Sequence, residues 1–164
     1  MVSVVLLLGS NDNNASAVVD RAINIIREAV GEVQKISKAY ISEPYGFSDA
    51  NSFVNRAIEV ETTLDAYELL RRINLIEALL GRDREEEARI RTARGEQYAS
   101  RPIDIDIVFY GDERFDDARL TIPYHFLDER EYALRPVAEI VPERKHPALR
   151  LTPRAMLEAL TKSK

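Results

Sequence analysis

Two aspartates, Asp104 and Asp106, are the residues of this sequence best suited to chemistry. They alternate with apolar residues in a predicted β-strand, so both carboxylates project from one face, about 7 Å apart along the backbone. Oxygen ligands of this kind suit Mg²⁺, which often takes one or two carboxylates and completes its shell with water and phosphate. A solvent-facing polar strand, or a set of Asp–Arg ion pairs, is the alternative interpretation. The opposite face, predicted to be core, consists of Ile103, Ile105, Ile107 and Phe109.

Arginines are concentrated near this pair. Six of the 18 arginines lie between Arg82 and Arg101, and Arg119 and Arg130 follow the predicted strand. Metal-binding carboxylates flanked by guanidinium groups suit polyphosphate transfer, because both can stabilise charge that develops on phosphate oxygens. The alternative is a surface ion-pair network, since acidic residues are interleaved with these arginines. Neither a Walker-type loop nor a Gly-x-Gly-x-x-Gly loop is present, which excludes P-loop and Rossmann phosphate sites.

A ring and an amide are predicted to lie side by side on another strand. Phe53 and Asn55 are two residues apart in a segment with alternating apolar residues, and the loop Pro44-Tyr45-Gly46 precedes them. An amide offers a donor and an acceptor, and an aromatic ring offers a stacking surface, so the pair suits a planar heterocycle. An ordinary loop followed by a core Phe is the alternative.

Composition narrows the classes of protein that these residues could serve. The chain has 164 residues, a net charge of −5, no cysteine and two histidines. The absence of cysteine excludes disulfides, iron–sulfur clusters and thiol nucleophiles. An acidic chain is a poor candidate for binding nucleic acid or anionic membranes. No apolar run is long enough to span a membrane, so a cytoplasmic protein is expected.

The apolar pattern predicts the elements that would position these residues. Strands are expected over residues 4–8, 33–41, 53–62 and 103–110, and helices over 15–30, 65–80, 130–140 and from 152 onward. The order β-α-β-β-α-β is typical of a ferredoxin-like α+β fold, a mostly antiparallel sheet with helices on one face. Residues 82–101 are charged and lack periodicity, which predicts a long mobile loop. Residues 1–164 are expected to form a single catalytic domain.

Several short motifs follow one another in a specific order. They are Gly9-Ser10-Asn11, Ser42-Glu43-Pro44-Tyr45-Gly46, Phe53-Val54-Asn55, Glu77, Gly81-Arg82-Asp83-Arg84, Arg101-x-x-Asp104-Ile105-Asp106 and Leu120-Thr121-Ile122-Pro123. Together they resemble the 6-hydroxymethyl-7,8-dihydropterin pyrophosphokinase family of folate biosynthesis over residues 3–147. The resemblance implies a monomer with a ferredoxin-like fold that transfers pyrophosphate from ATP to the pterin hydroxymethyl group and releases AMP.

The resemblance also implies roles for individual residues toward metal and nucleotide. Asp104 and Asp106 would hold two Mg²⁺ ions, and Arg82, Arg84 and Arg101 would be the catalytic arginines that act on the phosphates. The residues implied to bind ATP are Asn74, Glu77, Arg84, Arg101, Ile107, Arg119, Thr121, Tyr124, His125 and Arg130.

The partners implied by the resemblance are ATP and the pterin, with no nucleic acid and no membrane. The sequence departs from the family where Asn74 replaces the usual Gln, and where Tyr124 stands before His125 after Pro123. Tyr98 stands where some members carry a Trp over the pterin. The residues implied to form the pterin pocket are Ser42, Pro44, Tyr45, Phe53, Asn55, Tyr98 and Tyr132, with Phe53 and Tyr132 on either side of the ring.

Two other functions are compatible with the residues alone. A two-metal phosphohydrolase could use Asp104 and Asp106 to release phosphate from ATP without any pterin. A ferredoxin-like nucleotide- or RNA-binding module would have no turnover, although the acidic composition speaks against it. His146, which stands beside Pro147, is expected to be a surface residue.

Overall fold

The computed structural model describes residues 1–42, 52–94 and 102–163, without the side chains of residues 90, 91 and 94. The strands of this part of the chain are β1 (Val2–Ser10), β2 (Glu32–Ile36), β3 (Tyr40–Ser42), β4 (Phe53–Thr62), β5 (Asp104–Tyr110), β6 (Phe115–Asp116) and β7 (Thr121–Ile122). Its helices are α1 (Ala15–Ala29), α2 (Ala66–Leu79), α3 (Arg84–Arg94), α4 (Glu131–Ile140) and α5 (Pro153–Lys162).

The main sheet is antiparallel throughout. Its strand order is β2-β4-β1-β5, β3 also pairs with β4, and β6 and β7 form a separate small hairpin. The predicted α+β class with an antiparallel sheet is therefore confirmed. The predicted strand over residues 33–41 is two strands, β2 and β3, which both pair with β4.

Helices cover both faces of this sheet, so the expectation of helices on one face is wrong. Val4, Leu6 and Leu8 of β1 belong to a core with α1 and α2, whereas Val5 and Leu7 belong to a second core with α4 and α5. A strand that is apolar at every position must be covered on both sides, because successive side chains point to opposite faces. The apolar run in β1 already carried this signal.

A β-bulge changes the face of Phe109, so its predicted place beside the isoleucines is wrong. The register between β1 and β5 shifts between Val5 and Leu6, which leaves Val108 as the extra residue. Ile107 lies in the core with α1 and α2, whereas Phe109 lies in the core with α4 and α5. A bulge inserts one residue into one strand and thereby reverses the alternation beyond it.

The predicted long loop over residues 82–101 is wrong for its central part, because Arg84–Arg94 forms α3. The Asp83 carboxylate accepts hydrogen bonds from the backbone N–H groups of Glu85 and Glu86, both at 3.0 Å. Three glutamates in the first turn also interact favourably with the positive end of the helix dipole. The helix has no apolar stripe, so hydrophobic periodicity could not reveal it.

The predicted helix starts are confirmed at two places. Asp65 caps α2 by accepting a hydrogen bond from the N–H of Glu68 at 2.8 Å, and Thr152 caps α5 with Pro153 in the first turn. α4 continues through Pro136, as expected. Among the helices described, none combines the length and apolar character that a membrane crossing would require.

Candidate active site

The aspartate pair lies on β5 and faces the same side of the sheet as Leu7. Asp106 is opposite Leu7 and Asp104 is opposite Gly9 in the register between β5 and β1. Both aspartates are half-buried, and the neighbouring Ile105 points into the opposite core. The prediction that the two carboxylates share one face is confirmed.

Asn55 lies in the same row across the sheet. Gly9 is opposite Asn55 of β4 on one side and opposite Asp104 of β5 on the other. Since neighbouring strands are about 4.8 Å apart, the backbones at Asn55 and Asp104 are separated by about 10 Å. An amide and a carboxylate therefore flank a position that carries no side chain.

Gly9 is constrained by this arrangement. A Cβ atom at Gly9 would lie 2.7 Å from Oδ1 of Asn55, which is closer than such atoms approach in proteins. Asn55 is 5% exposed, so its carboxamide has little room to move aside. The missing side chain at Gly9 is what allows the carboxamide of Asn55 to occupy its position.

Arg82 is surrounded by the carboxylates of Glu77, Glu87 and Asp104. Its Nη1 donates to Glu77 and to Asp104, both at 2.9 Å, and its Nε donates to Glu87 at 3.0 Å. The side chains of Glu77, Arg82 and Glu87 are 2%, 5% and 8% exposed. We call these four residues the ion-pair cluster. Because Asp104 belongs to it, one carboxylate of the predicted metal pair is held by a buried cation.

Glu77 connects this cluster to β5 and to Arg84. One oxygen of Glu77 accepts the backbone N–H of Ile105 at 2.9 Å, and the other accepts Nη2 of Arg84 at 2.8 Å. Burial raises the pKa of Glu77, although the N–H of Ile105 and the guanidinium of Arg82 act in the opposite direction. The pKa of Arg82 is also raised: burial lowers it, but Asp104, Glu87 and Glu77 outweigh that effect.

A second group of residues surrounds Tyr124, which lies near Asp106. We call it the aromatic patch, and it consists of Tyr124, His125, Phe126, Arg130 and Tyr132. His125 packs edge-on against Phe126, and the guanidinium of Arg130 lies over the Phe126 ring at 4.6 Å. The hydroxyls of Tyr124 and Tyr132 are 3.5 Å apart. Burial and the Tyr132 hydroxyl raise the pKa of Tyr124, with further contributions from Asp106 and Asp104. The structure therefore brings Tyr124 of the shifted Tyr-His pair within electrostatic range of the aspartates.

Further residues predicted to bind ATP line two cavities. One, of about 400 Å³, is lined by Leu70, Arg71, Asn74, Leu75 and Arg119. The other, of about 550 Å³, includes Thr121, Tyr124 and His125 in its wall. Ile107 has a different position, because its side chain is buried in the core with α1 and α2. Asn74 and Arg119, which are far apart in sequence, thus meet at one cavity.

A family model described as 7,8-dihydro-6-hydroxymethylpterin-pyrophosphokinase (HPPK) matches residues 5–142. The chain belongs to the HPPK family. The 2-amino-4-hydroxy-6-hydroxymethyldihydropteridine pyrophosphokinase of Aquifex aeolicus is 34% identical over 150 residues, covering 92% of this chain and 87% of the relative. The enzyme of the same name from Bacillus subtilis is 33% identical over 136 residues, covering 82% and 75%.

Solved structures show the same fold. A Plasmodium falciparum HPPK-DHPS triple mutant with pteroate matches with a TM-score of 0.77 and 17% identity, over 98% of this chain and 42% of that chain. The chain thus spans less than half of the length of that solved HPPK-DHPS protein. At this identity the match concerns the fold alone. The family identifies the activity as pyrophosphoryl transfer in folate biosynthesis and does not favour a phosphohydrolase or an RNA-binding module.

The donor chemistry of the aspartate pair fits a magnesium ion. Within the three described stretches of chain, no group of three or more Asp, Glu or His side chains could hold a metal ion. Asp104 and Asp106 offer two carboxylates on one face of β5. That is the number Mg²⁺ commonly accepts from a protein while water and phosphate occupy its other positions.

Some residues near the site were not predicted from the sequence, and some predicted site residues lie outside the described part of the chain. Glu87 was not recognised, because its partner Arg82 is predicted to act on phosphates and the helix that carries Glu87 was not expected. His146 is buried rather than on the surface, and its Nδ1 accepts two backbone N–H groups. Ser42 is opposite Phe53 in the pairing of β3 with β4. The candidates that lie outside the described residues are Pro44, Tyr45, Tyr98 and Arg101.

Proposed function

We propose that this protein transfers the pyrophosphoryl group of ATP to 6-hydroxymethyl-7,8-dihydropterin over the row Asn55, Gly9 and Asp104. The observation that carries the proposal is the register, which gives Asn55 and Asp104 the same partner, Gly9, on the strand between them. A residue able to recognise a heterocycle and a residue able to hold a metal thus lie on one face, about 10 Å apart. This separation leaves room for a pterin whose hydroxymethyl group points toward β5.

Asn55 is the residue that we assign to pterin recognition. Its carboxamide can donate to one ring atom and accept from another, and its position beside Gly9 fixes its orientation. Phe53 is on the same strand face two residues away, and Tyr132 of the aromatic patch is 37% exposed. These rings supply the stacking surfaces for the pterin. The remaining candidates for the pocket are Ser42, Pro44, Tyr45 and Tyr98.

Asp104 and Asp106 are assigned to two Mg²⁺ ions. When bound, the ions would lower the pKa of the pterin hydroxyl and neutralise phosphate oxygens. The aspartates orient this site, because Asp104 is anchored by Arg82 and Asp106 is close to Tyr124. In the transfer, the hydroxyl oxygen bonds to the β-phosphorus while the bond to the bridging oxygen of AMP breaks, and the hydroxyl proton is released.

Of the three predicted catalytic arginines, the structure describes Arg82 and Arg84, and we assign them different tasks. Arg84 has a side chain that is 61% exposed and that pairs with Glu77, so it can turn toward a phosphate at little cost. Arg82 is held by three carboxylates, so it positions Asp104 and Glu77. Arg101 is assigned to the phosphates on the family resemblance. Glu77 supports the nucleotide site indirectly, through Arg82, Arg84 and β5.

The nucleotide is assigned to the cavity lined by Asn74 and Arg119. The cavity combines apolar side chains, Leu70 and Leu75, with an amide and two guanidinium groups. Such a lining suits a base and a ribose, since ligand sites combine apolar walls with a few polar groups that fix orientation. The other residues assigned to ATP are Ile107, Thr121, Tyr124, His125 and Arg130.

The finer description of the fold and assembly also belongs to this proposal. The strand order β2-β4-β1-β5 with antiparallel neighbours is the order of a ferredoxin-like core. In such a core two βαβ units interlock, so that one strand of each unit lies between the two strands of the other. α4 and α5 would be additions that cover its second face. We expect one catalytic domain over residues 1–164, active as a monomer in the cytoplasm.

The test is an incubation of the purified protein with ATP, Mg²⁺ and 6-hydroxymethyl-7,8-dihydropterin, followed by mass spectrometry of nucleotides and pterins. AMP and a pterin diphosphate should form together, in equal amounts, and only when the pterin is present. The matched control omits the pterin. ADP or free phosphate in that control would instead identify a phosphohydrolase, and the absence of any turnover would contradict the proposal.

A further inference from the structure

Glu87 is a buried acid on a helix whose other described charged side chains, those of Arg84, Glu85, Glu86 and Arg89, are exposed. It belongs to α3, which has glutamates at three consecutive positions, and only the third points inward. Glu86 has a side chain that is 53% exposed and pairs with Arg89 on the same helix. Glu87 is 8% exposed and pairs with Arg82, which precedes the helix. A buried carboxylate of this kind requires a partner and suggests a specific task.

The contact between Glu87 and Arg82 fixes the plane of the guanidinium group. One oxygen of Glu87 accepts Nε at 3.0 Å, and the other is 3.4 Å from Nη2. Two parallel contacts of this kind define an orientation as well as a distance. With that side of the fork occupied, Nη1 is directed toward Glu77 and Asp104.

Asp104 thereby depends on Glu87 through Arg82. Nη1 of Arg82 contacts Oδ1 of Asp104 at 2.9 Å, which restricts the rotation of the carboxylate. If Glu87 were absent, Nε and Nη2 would lose their acceptor in a side chain that is 5% exposed. The guanidinium group would have to turn to recover hydrogen bonds, since unsatisfied buried donors are costly.

We infer that Glu87 is a positioning residue for the metal site, which sets the orientation of the Asp104 carboxylate through Arg82. The inference rests on the proposed role of Asp104 in binding Mg²⁺. The inference also gives α3 a function. The packing of α3 places the Glu87 carboxylate against Arg82, which in turn holds Asp104 of β5. Partners of metal-ligating carboxylates of this type typically change metal affinity or activity by about 10- to 100-fold when they are removed.

The test compares Glu87→Gln with the matched control Glu86→Gln. Mn²⁺ binding is measured by electron paramagnetic resonance in the presence of α,β-methylene-ATP, together with kcat and the KM for the pterin. Glu87→Gln should weaken Mn²⁺ binding by about tenfold or more and lower kcat, whereas the KM for the pterin should stay within about twofold. Glu86→Gln should match the wild type in all three measurements.

Mn²⁺ affinity equal to that of the wild type in folded Glu87→Gln would overturn the inference. If thermal unfolding shows that this variant does not fold, Glu87→Asp takes its place, since it keeps the charge but shortens the reach by one methylene. It should weaken Mn²⁺ binding while α3 stays docked, and wild-type affinity there would also overturn the inference. Because Mn²⁺ binding needs no pterin, its result is separate from a failure of the wild type to form AMP, which would contradict the proposed function.

Discussion

The ion-pair cluster includes Asp104, and the aromatic patch includes Tyr124, which lies near Asp106. The two regions differ in how far the fold satisfies their polar groups. In the cluster, Arg82 is surrounded by three carboxylates and every one of these contacts comes from the protein. In the patch, Phe126 and Tyr132 are more than a third exposed, and Arg130 lies over a ring. In the first region the buried cation is paired by protein carboxylates, whereas the second region presents surfaces that a ligand can cover.

The difference suggests that orientation and binding are supplied by separate parts of the molecule. Buried charges with several partners are rigid, because removing one partner leaves a charge uncompensated in a poorly solvated place. Exposed rings and cations lose little when they change partners, so they can adapt to a substrate. Substitutions in the cluster should therefore affect stability and metal geometry, and substitutions in the patch should affect substrate affinity.

The largest effect is expected at Asp106, where the two regions meet. Asp106→Ala should lower turnover by about 10³-fold or more, because it removes one of two carboxylates that would hold the metal ions. Pterin binding without ATP, measured by fluorescence, should change little. Asp112→Ala, in the exposed turn after β5, is the control and should keep full activity. Full activity in Asp106→Ala would remove this residue from the mechanism.

The next largest effect separates two arginines that are two residues apart. Arg82→Ala should lower the free energy of unfolding by about 3–5 kcal/mol, because Glu87 would remain buried without its cation and Glu77 would keep only the exposed Arg84. Arg84→Ala should change it by less than about 1 kcal/mol, yet lower kcat by about 10²-fold as a phosphate contact is lost. Denaturant unfolding and steady-state kinetics on both variants test this. Equal loss of stability in the two would contradict the division between structural and substrate-facing arginines.

A smaller effect is expected at Gly9. Gly9→Ala would bring a Cβ atom to 2.7 Å from Oδ1 of Asn55, so the carboxamide must shift. The KM for the pterin should rise about five- to tenfold, which is the value of one net hydrogen bond, while the KM for ATP stays the same. Gly31→Ala is the control, since its Cβ would meet a backbone oxygen of Glu61 away from the site. It should lower stability and leave the KM for the pterin unchanged.

Sequence patterns predicted the elements whose signals are local. β1 contains an apolar run, β5 begins with aspartates that alternate with isoleucines, and Asp65 with Glu68 marks the start of α2. α3 was not predicted, because the signals of this helix are a capping residue and charges rather than an apolar stripe. The sheet face of Phe109 was predicted wrongly, because the bulge depends on how β5 pairs with β1. No pattern within β5 specifies that pairing.

For the candidate site, the sequence predicted residue types better than their tasks. Asp104, Asp106 and Asn55 were recognisable because their spacing placed them on defined strand faces. The burial of Arg82 among Glu77 and Glu87 could not be predicted, since those contacts depend on how α2 and α3 meet at the start of β5. Arginine near a carboxylate pair is compatible with both phosphate binding and structure, and only the three-dimensional arrangement distinguishes them.

The smallest effect concerns the two histidines, which show the same contrast between a buried, hydrogen-bonded group and an exposed one. His125 is exposed in the aromatic patch, whereas His146 is buried and its Nδ1 accepts the N–H groups of Ala148 at 3.1 Å and Leu149 at 3.0 Å. Burial lowers the pKa of His146 below its ordinary value of 6.5; nearby Asp128 opposes this and Arg114 adds to it. Protonation at Nδ1 would also break both hydrogen bonds.

The sign of the pH dependence follows from this lowered pKa. Because the unfolded chain binds the proton more readily, the contribution of His146 to stability is complete above the unfolded pKa and is lost as the pH falls through about 6.5 toward the folded pKa. Thermal unfolding should show a decrease in Tm of about 2–4 °C from this residue between neutral and mildly acidic pH. His146→Gln should remove that decrease, whereas His125→Gln should retain it. The same pH profile in both variants would mean that the buried histidine is not the group that titrates, and that its ring serves only to pack against Phe109.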